Sequence, residues 1–281
     1  MLYISCTVVS KSNNVENKNN EQIILNYPVV LVHGIIVHDR QSFIKFWGRI
    51  PEALEAKGVQ VFFGNTDAWG EYESNAAILK ETIEKILLET NKEKVNIIAH
   101  SKGGLDTRYL IWKYDFGDKI ASLTTICTPH HGSEIADLIY NSRLVHTRTS
   151  KNVLELYGKL YGDVNPNLYN VNYQLTTMNM KEFNENIPMD DRVYYHSLYT
   201  TMDSGFNHRV FLRTYRYIEK VNGANDGLVS ENSAKWGPNV TKIKGKISHA
   251  DILDLKMKKV HGVDIPDIYC DIARDLSNKG F

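Results

Sequence analysis

The chain has 281 residues, 42% of them apolar, which is enough for one large domain with a full core. Its 33 basic and 33 acidic side chains cancel and no basic stripe appears, so nucleic acid is not an expected partner. No apolar run approaches the ~20 residues needed to span a membrane, and Cys6, Cys127 and Cys270 form no C-x-x-C pair and read as free thiols, with one bridge as the alternative.

In chain order, residues 1–26 read as a flexible leader, apolar over 1–9 and rich in Ser, Asn, Lys and Glu over 10–22. Leu2-Tyr3-Ile4-Ser5-Cys6 loosely resembles the end of a bacterial lipoprotein signal, with Cys6 as the lipidated residue; a leader of no consequence is the alternative. The expected address is secreted or cell-surface, with a cytoplasmic one left open. A single catalytic domain is expected over 27–281. Val29-Val30-Leu31-Val32 is a buried strand, and His33-Gly34 opens a loop over 35–43. A helix follows over 46–58, then a strand over 59–63 and an amphipathic helix over 75–90. A short buried strand, 95–99, runs into Ala99-His100-Ser101-Lys102-Gly103-Gly104 and then into a helical pattern, 105–112. Residues 120–126 form another strand. Strands alternating with helices predict a mostly parallel sheet covered on both faces.

Ser101 sits where a strand reverses into a helix. Such a turn holds the side chain out over the carboxyl edge of the sheet, beside helix N–H groups that can receive a developing oxyanion. The nucleophile elbow is written G-x-S-x-G; here it is Ala99-x-Ser101-x-Gly103, with Ala in place of the first Gly. An ordinary serine in a tight turn is the bland alternative.

After residue 132 the parallel pattern breaks. Residues 133–161 carry an amphipathic helical insertion between core elements, and 162–174 read as loop. A strand over 209–218 leads to the turn Asn225-Asp226-Gly227. An exposed last strand, 241–247, is followed directly by Ser248-His249-Ala250-Asp251, and a helix over 266–278 closes the chain. Adjacent His130 and His131 do not suggest a metal, since neighbours cannot both point one way on a strand.

The Val30-Leu31-Val32-His33-Gly34 strand, the elbow and Thr128-Pro129-His130-His131-Gly132-Ser133 together resemble the bacterial triacylglycerol lipases, and so does the stretch from Leu175 to Asn184. The similarity runs from Tyr27 to the C-terminus and implies an α/β-hydrolase fold with a helical lid or cap over 133–190; an ordinary packed helical insertion is the alternative there.

A serine needs a base, and the base needs an acid, which in this fold come in the order Ser, Asp, His. Of ten histidines only His249 and His261 follow the last predicted strands, and His249 follows one immediately. Asp226 lies in a Gly-rich turn whose bland reading is a simple turn. In the resembled lipases Asn-Asp-Gly-Leu-Val carries the acid and Ser-His-Ala-Asp the base, so the expected triad is Ser101, Asp226 and His249. Backbone N–H groups of Lys102 and Ile35 are the expected oxyanion hole, with His33 and His100 as structural props. The resemblance also implies one structural Ca²⁺, held by Asp203 and Asp251 with carbonyls of Leu255 and Lys259; no organic cofactor is expected. The expected activity is hydrolysis of acylglycerols or other apolar acyl esters, at a lipid–water interface. A lidless carboxylesterase for short soluble esters and a non-catalytic binding module are the alternatives.

Overall fold

The computed structural model describes residues 21–35, 45–142, 163 and 166–281. Cys6, most of the expected leader, the loop beyond Ile35 and most of the 133–161 insertion lie outside the described residues.

Six parallel strands form one sheet: β1 (Val29–Val32), β2 (Val61–Phe63), β3 (Val95–His100), β4 (Ile120–Ile126), β5 (Tyr194–Thr201) and β6 (Val240–Lys246). Their spatial order is β2-β1-β3-β4-β5-β6. β1, β3 and β4 are buried along their whole length, as continuous apolar or β-branched runs in a parallel sheet must be. Alternate side chains feed two cores. Leu31, Ile98, Ile126 and Leu198 pack against α1 (Ile50–Glu55) and α8 (Ile265–Asn278). Val30, Val32, Ile97 and Leu123 pack against α2 (Tyr72–Thr90) and α3 (Gly103–Lys113).

The chain enters the sheet at β1, one strand in from the edge, runs out to the edge strand β2, and returns past β1 to β3. The β1/β3 crevice is therefore a topological switch point, where sheets of this type hold ligands at the carboxyl ends of their strands. Pairing Val32 with Ala99 and His100 with Ile126 brings Gly34, Ser101 and Cys127 to that one edge.

Four expectations need correction. The strand expected over 209–218 is a short turn, Arg209–Phe211, followed by helix α7 (Leu212–Asn222). Its Tyr215 and Ile218, three residues apart, are the buried positions, so helical spacing overrides β-prone composition. The strand beside β4 is instead β5, which lies just after the expected cap region. Within that region, α4 (Glu134–Tyr140), α5 (Leu168–Gln174) and α6 (Thr177–Asn186) are described, and α6 buries Met180 and Phe183 against Leu105 of α3. The 162–174 stretch, expected as loop, thus ends in the helix α5, and α6 packs onto α3. Finally, the ordered chain begins before Tyr27. Ile23 is buried and its N–H meets the carbonyl of Lys57, while the N–H of Asn26 donates to the carbonyl of Phe281.

Candidate active site

β3 ends and α3 begins within two residues, and Ser101 takes the turn with φ +53°. A non-glycine residue held in the left-handed region is strained and needs its surroundings to fix it. The Ser101 N–H donates to the carbonyl of Ile126 at 2.9 Å, and its own carbonyl accepts the Thr128 hydroxyl at 2.7 Å. Behind the turn, a Cβ on Gly103 would stand 2.4 Å from the carbonyl oxygen of His33, so this position admits only glycine.

His249 follows β6 after two residues. Its Nε2 lies 3.0 Å from Ser101 Oγ, and its Nδ1–H donates to Asp226 Oδ2 at 2.8 Å. The other carboxylate oxygen of Asp226 accepts the N–H groups of Leu228 and Val229 at 3.0 and 2.8 Å. The Asn225-Asp226-Gly227 turn therefore consumes one oxygen locally and aims the other at the imidazole. The His249 N–H also donates to the Asp226 carbonyl, which ties the two loops together.

The supporting histidines are both buried. His100 sits 4.6 Å from the His249 ring, with Nε2 3.1 Å from the His249 carbonyl. Burial, with His249 alongside, pushes the pKa of His100 well down, so it stands beside the base as a neutral ring. His33 has its ring nitrogens 2.6 Å from the Gly34 carbonyl and 3.0 Å from the Thr66 carbonyl, which fixes the loop leading to Ile35. That loop presses on the elbow, because a Cβ on Gly34 would come within 2.7 Å of Ser101 Cβ and 3.3 Å of its Oγ. Ile35 follows directly on Gly34, and Lys102 directly on Ser101.

Two features escape the sequence reading. Lys102 is 1% exposed, and its ammonium meets Asp106 one helical turn on at 2.6 Å. Asn75 donates to the second oxygen of Asp106 at 2.9 Å, yet burial still raises the Asp106 pKa. The i,i+4 spacing was the available signal. The other is Cys127, buried with φ +53°, whose thiol lies 3.4 Å from Thr200 Oγ1. Burial and the Asp226 charge push that thiol's pKa well up, so it is no nucleophile.

Both carboxylates of the expected calcium site already hold a lysine. Asp203 is exposed and pairs with Lys246 at 2.6 Å. Asp251 is buried, with Lys256 2.7 Å from one oxygen and the Ser248 hydroxyl donating to the other at 2.8 Å. Two ammonium groups stand where a calcium ion would need the carboxylates to itself. Among the described residues, the group of His, Cys and acidic ligand atoms close enough for a metal is Cys127, Asp226 and His249. An ion there would have to break the hydrogen bond from His249 to Asp226.

A family model described as palmitoyl protein thioesterase matches residues 28–244. Triacylglycerol lipase 2 of Saccharomyces cerevisiae is 33% identical over 264 residues, covering 85% of this chain and 75% of that protein. The chain belongs to this family of lipase-type α/β-hydrolases. A triacylglycerol lipase of Pseudarthrobacter phenanthrenivorans is 30% identical over 174 residues, 58% of this chain and 54% of that protein, so the chain spans about half of that relative. A metagenomic carboxyl esterase of known structure shares the fold with a TM-score of 0.74, at 18% identity over 92% of this chain and 78% of that one. As a lipase-type α/β-hydrolase, the protein is a serine hydrolase that cleaves carboxylic esters. Among its described residues, no helix is long and apolar enough to cross a membrane.

Proposed function

We propose that Ser101, His249 and Asp226 carry out the hydrolysis through an acyl-enzyme, on esters of apolar acyl chains such as acylglycerols. The observation that supports this most is the unbroken hydrogen-bond line from Ser101 Oγ through His249 to Asp226. The Ser101 hydroxyl donates to His249 Nε2, which takes its proton as Oγ attacks the ester carbonyl. Asp226 holds the Nδ1–H tautomer and stabilises the imidazolium that forms. The tetrahedral oxyanion is received by the backbone N–H groups of Lys102 and Ile35. His249 then returns the proton to the leaving alcohol, and water enters by the same route to release the acid.

The test is Ser101→Ala in purified protein. We expect turnover of a medium-chain ester to fall by ~10⁴ to 10⁶, with loss of labelling by a fluorophosphonate and an unchanged melting temperature. Near-normal hydrolysis by the variant would reject the assignment.

The family description favours a second substrate class, S-acyl thioesters. The same attack serves both, because a thiolate leaves more readily than an alkoxide. Comparing matched oxygen and sulfur esters of one acyl chain tells which class is preferred. The segment over 133–161 is proposed as the lid. Rate should then jump as a medium-chain ester passes its solubility limit, whereas a smooth hyperbola favours a lidless esterase. Export is proposed from the resemblance around Cys6, and recovery only in cytosol after fractionation would reject it.

A further inference from the structure

Beyond β5 the chain leaves the sheet through two short turns into α7. One side of this segment is buried through Tyr215 and Ile218. Along the segment Phe206, Val210 and Val221 stand 66%, 78% and 58% exposed. Arg213 and Lys220 are exposed between them, and the Arg216 guanidinium lies 5.7 Å from the Phe206 ring. A second segment follows the turn after His249. Leu255, Lys256, Met257, Lys258 and Lys259 are all exposed in succession, the two apolar ones at 42% and 55%.

Asp251 joins the two segments, since one of its oxygens lies 2.7 Å from Lys256 and 3.9 Å from His208. Both segments also abut the triad. Asp251 is two residues past His249, and Phe211 packs against Gly227, the neighbour of Asp226. Together, residues 206–221 and 255–259 hold seven Arg or Lys and one acid, Glu219, in a chain whose formal net charge is zero.

We propose that these segments form one surface that docks the enzyme, beside its active site, on a bilayer of anionic phospholipid. Large apolar side chains standing far into solvent call for a partner. Their interleaving with cations selects the kind. A protein interface depletes lysine at its core, and a nucleic-acid groove has no use for exposed valine and methionine. A headgroup layer takes both, because phosphates meet the ammonium and guanidinium groups while the apolar tips reach the acyl boundary. The docking does not depend on the assigned ester chemistry.

The test is cosedimentation with vesicles of phosphatidylcholine containing phosphatidylglycerol, against vesicles of phosphatidylcholine alone. Wild-type protein should pellet with the anionic vesicles, and high salt should release it. Each cation near such a surface is worth about fivefold in affinity. The triple variant Arg213→Glu/Lys220→Glu/Lys258→Glu should therefore bind about a hundredfold more weakly or worse, while hydrolysing a soluble short-chain ester as before. If that variant misfolds, Arg213→Gln/Lys220→Gln/Lys258→Gln gives the same comparison with milder changes. Val210→Ser/Met257→Ser should weaken binding and leave its salt dependence in place. Equal pelleting with neutral vesicles, or unchanged pelleting of the charge variants, overturns the proposal. So does binding to polyglutamate without binding to vesicles, which would point to an acidic protein partner. An inactive wild-type protein that still pellets would count against the ester chemistry only.

Discussion

Gly34 has no room for a side chain. A methyl group there would meet Ser101 Cβ at 2.7 Å, so Gly34→Ala must push either the nucleophile or the loop to Ile35. A displacement of about 1 Å at a reacting atom costs roughly a hundredfold in rate. We expect Gly34→Ala to lose about that much in kcat and to melt near the wild-type temperature; a fully active variant would show that the loop yields freely. Asp226 differs in kind. Asp226→Asn preserves the shape of the turn but stabilises the wrong tautomer of His249, which should cost about 10⁴ in kcat. Ser101 is read from its strand-to-helix elbow, whereas Asp226 and His249 are assigned by the resemblance to the lipases, and the hydrogen bonds of His249 join all three. Gly34 was legible only as a strand stop, since its second duty depends on β1 lying beside β3. Asp203 and Asp251 come from the resemblance to the lipases, which does not register the lysines that meet them here. A chelator should therefore leave the melting temperature unchanged, and a rise on adding calcium would restore the ion.

At the scale of elements, what decided legibility was the chemistry of burial. β1, β3 and β4 are apolar runs and announce themselves. β5 is also an interior strand, yet apart from Leu198 its residues are Tyr, His, Ser and Thr. Its hydroxyls can be buried because they are satisfied: Thr125 donates to Ser197 at 3.1 Å, and Ser197 donates to the Trp236 carbonyl at 2.7 Å. No single-sequence pattern reveals partners that come from other elements. α3 hides a similar device in its Lys102–Asp106 pair, which is almost wholly removed from water. Removing one partner leaves an uncompensated buried charge, which costs about 3–5 kcal/mol. Lys102→Met should destabilise by that amount in urea unfolding. Lys102→Met/Asp106→Leu should recover most of it, and both should keep the Lys102 N–H available to the oxyanion. A single variant as stable as wild type would show that water reaches the pair.

Across the whole molecule, the helices on either face of the sheet enclose polar groups whose charge state is fixed by burial. Arg108 is nearly enclosed, with its guanidinium 3.8 Å from the Trp236 ring centroid and 4.8 Å from that of Phe183. Burial lowers its pKa to about 9, so it remains charged at neutral pH. It donates to His130 Nδ1 at 3.2 Å, which requires that nitrogen to be unprotonated. His130 Nε2–H is then left to donate to Thr125 Oγ1 at 3.0 Å. Burial first, and Arg108 second, push the His130 pKa well down, and burial does the same for His100. In the unfolded chain both rings titrate near the ordinary value of 6.5. Below that pH the unfolded chain binds more protons than the folded one, so stability is full above it and falls as the medium acidifies. Each ring should contribute a slope of up to about 1.4 kcal/mol per pH unit below about pH 6.5. Replacing His130 with Asn removes one titrating group. His130→Asn should be less stable than wild type at neutral pH, yet lose stability less steeply on acidification, as read by urea unfolding at several pH values. Parallel slopes for the two proteins would mean that His130 already carries a proton in the folded state, contrary to its hydrogen bond from Arg108.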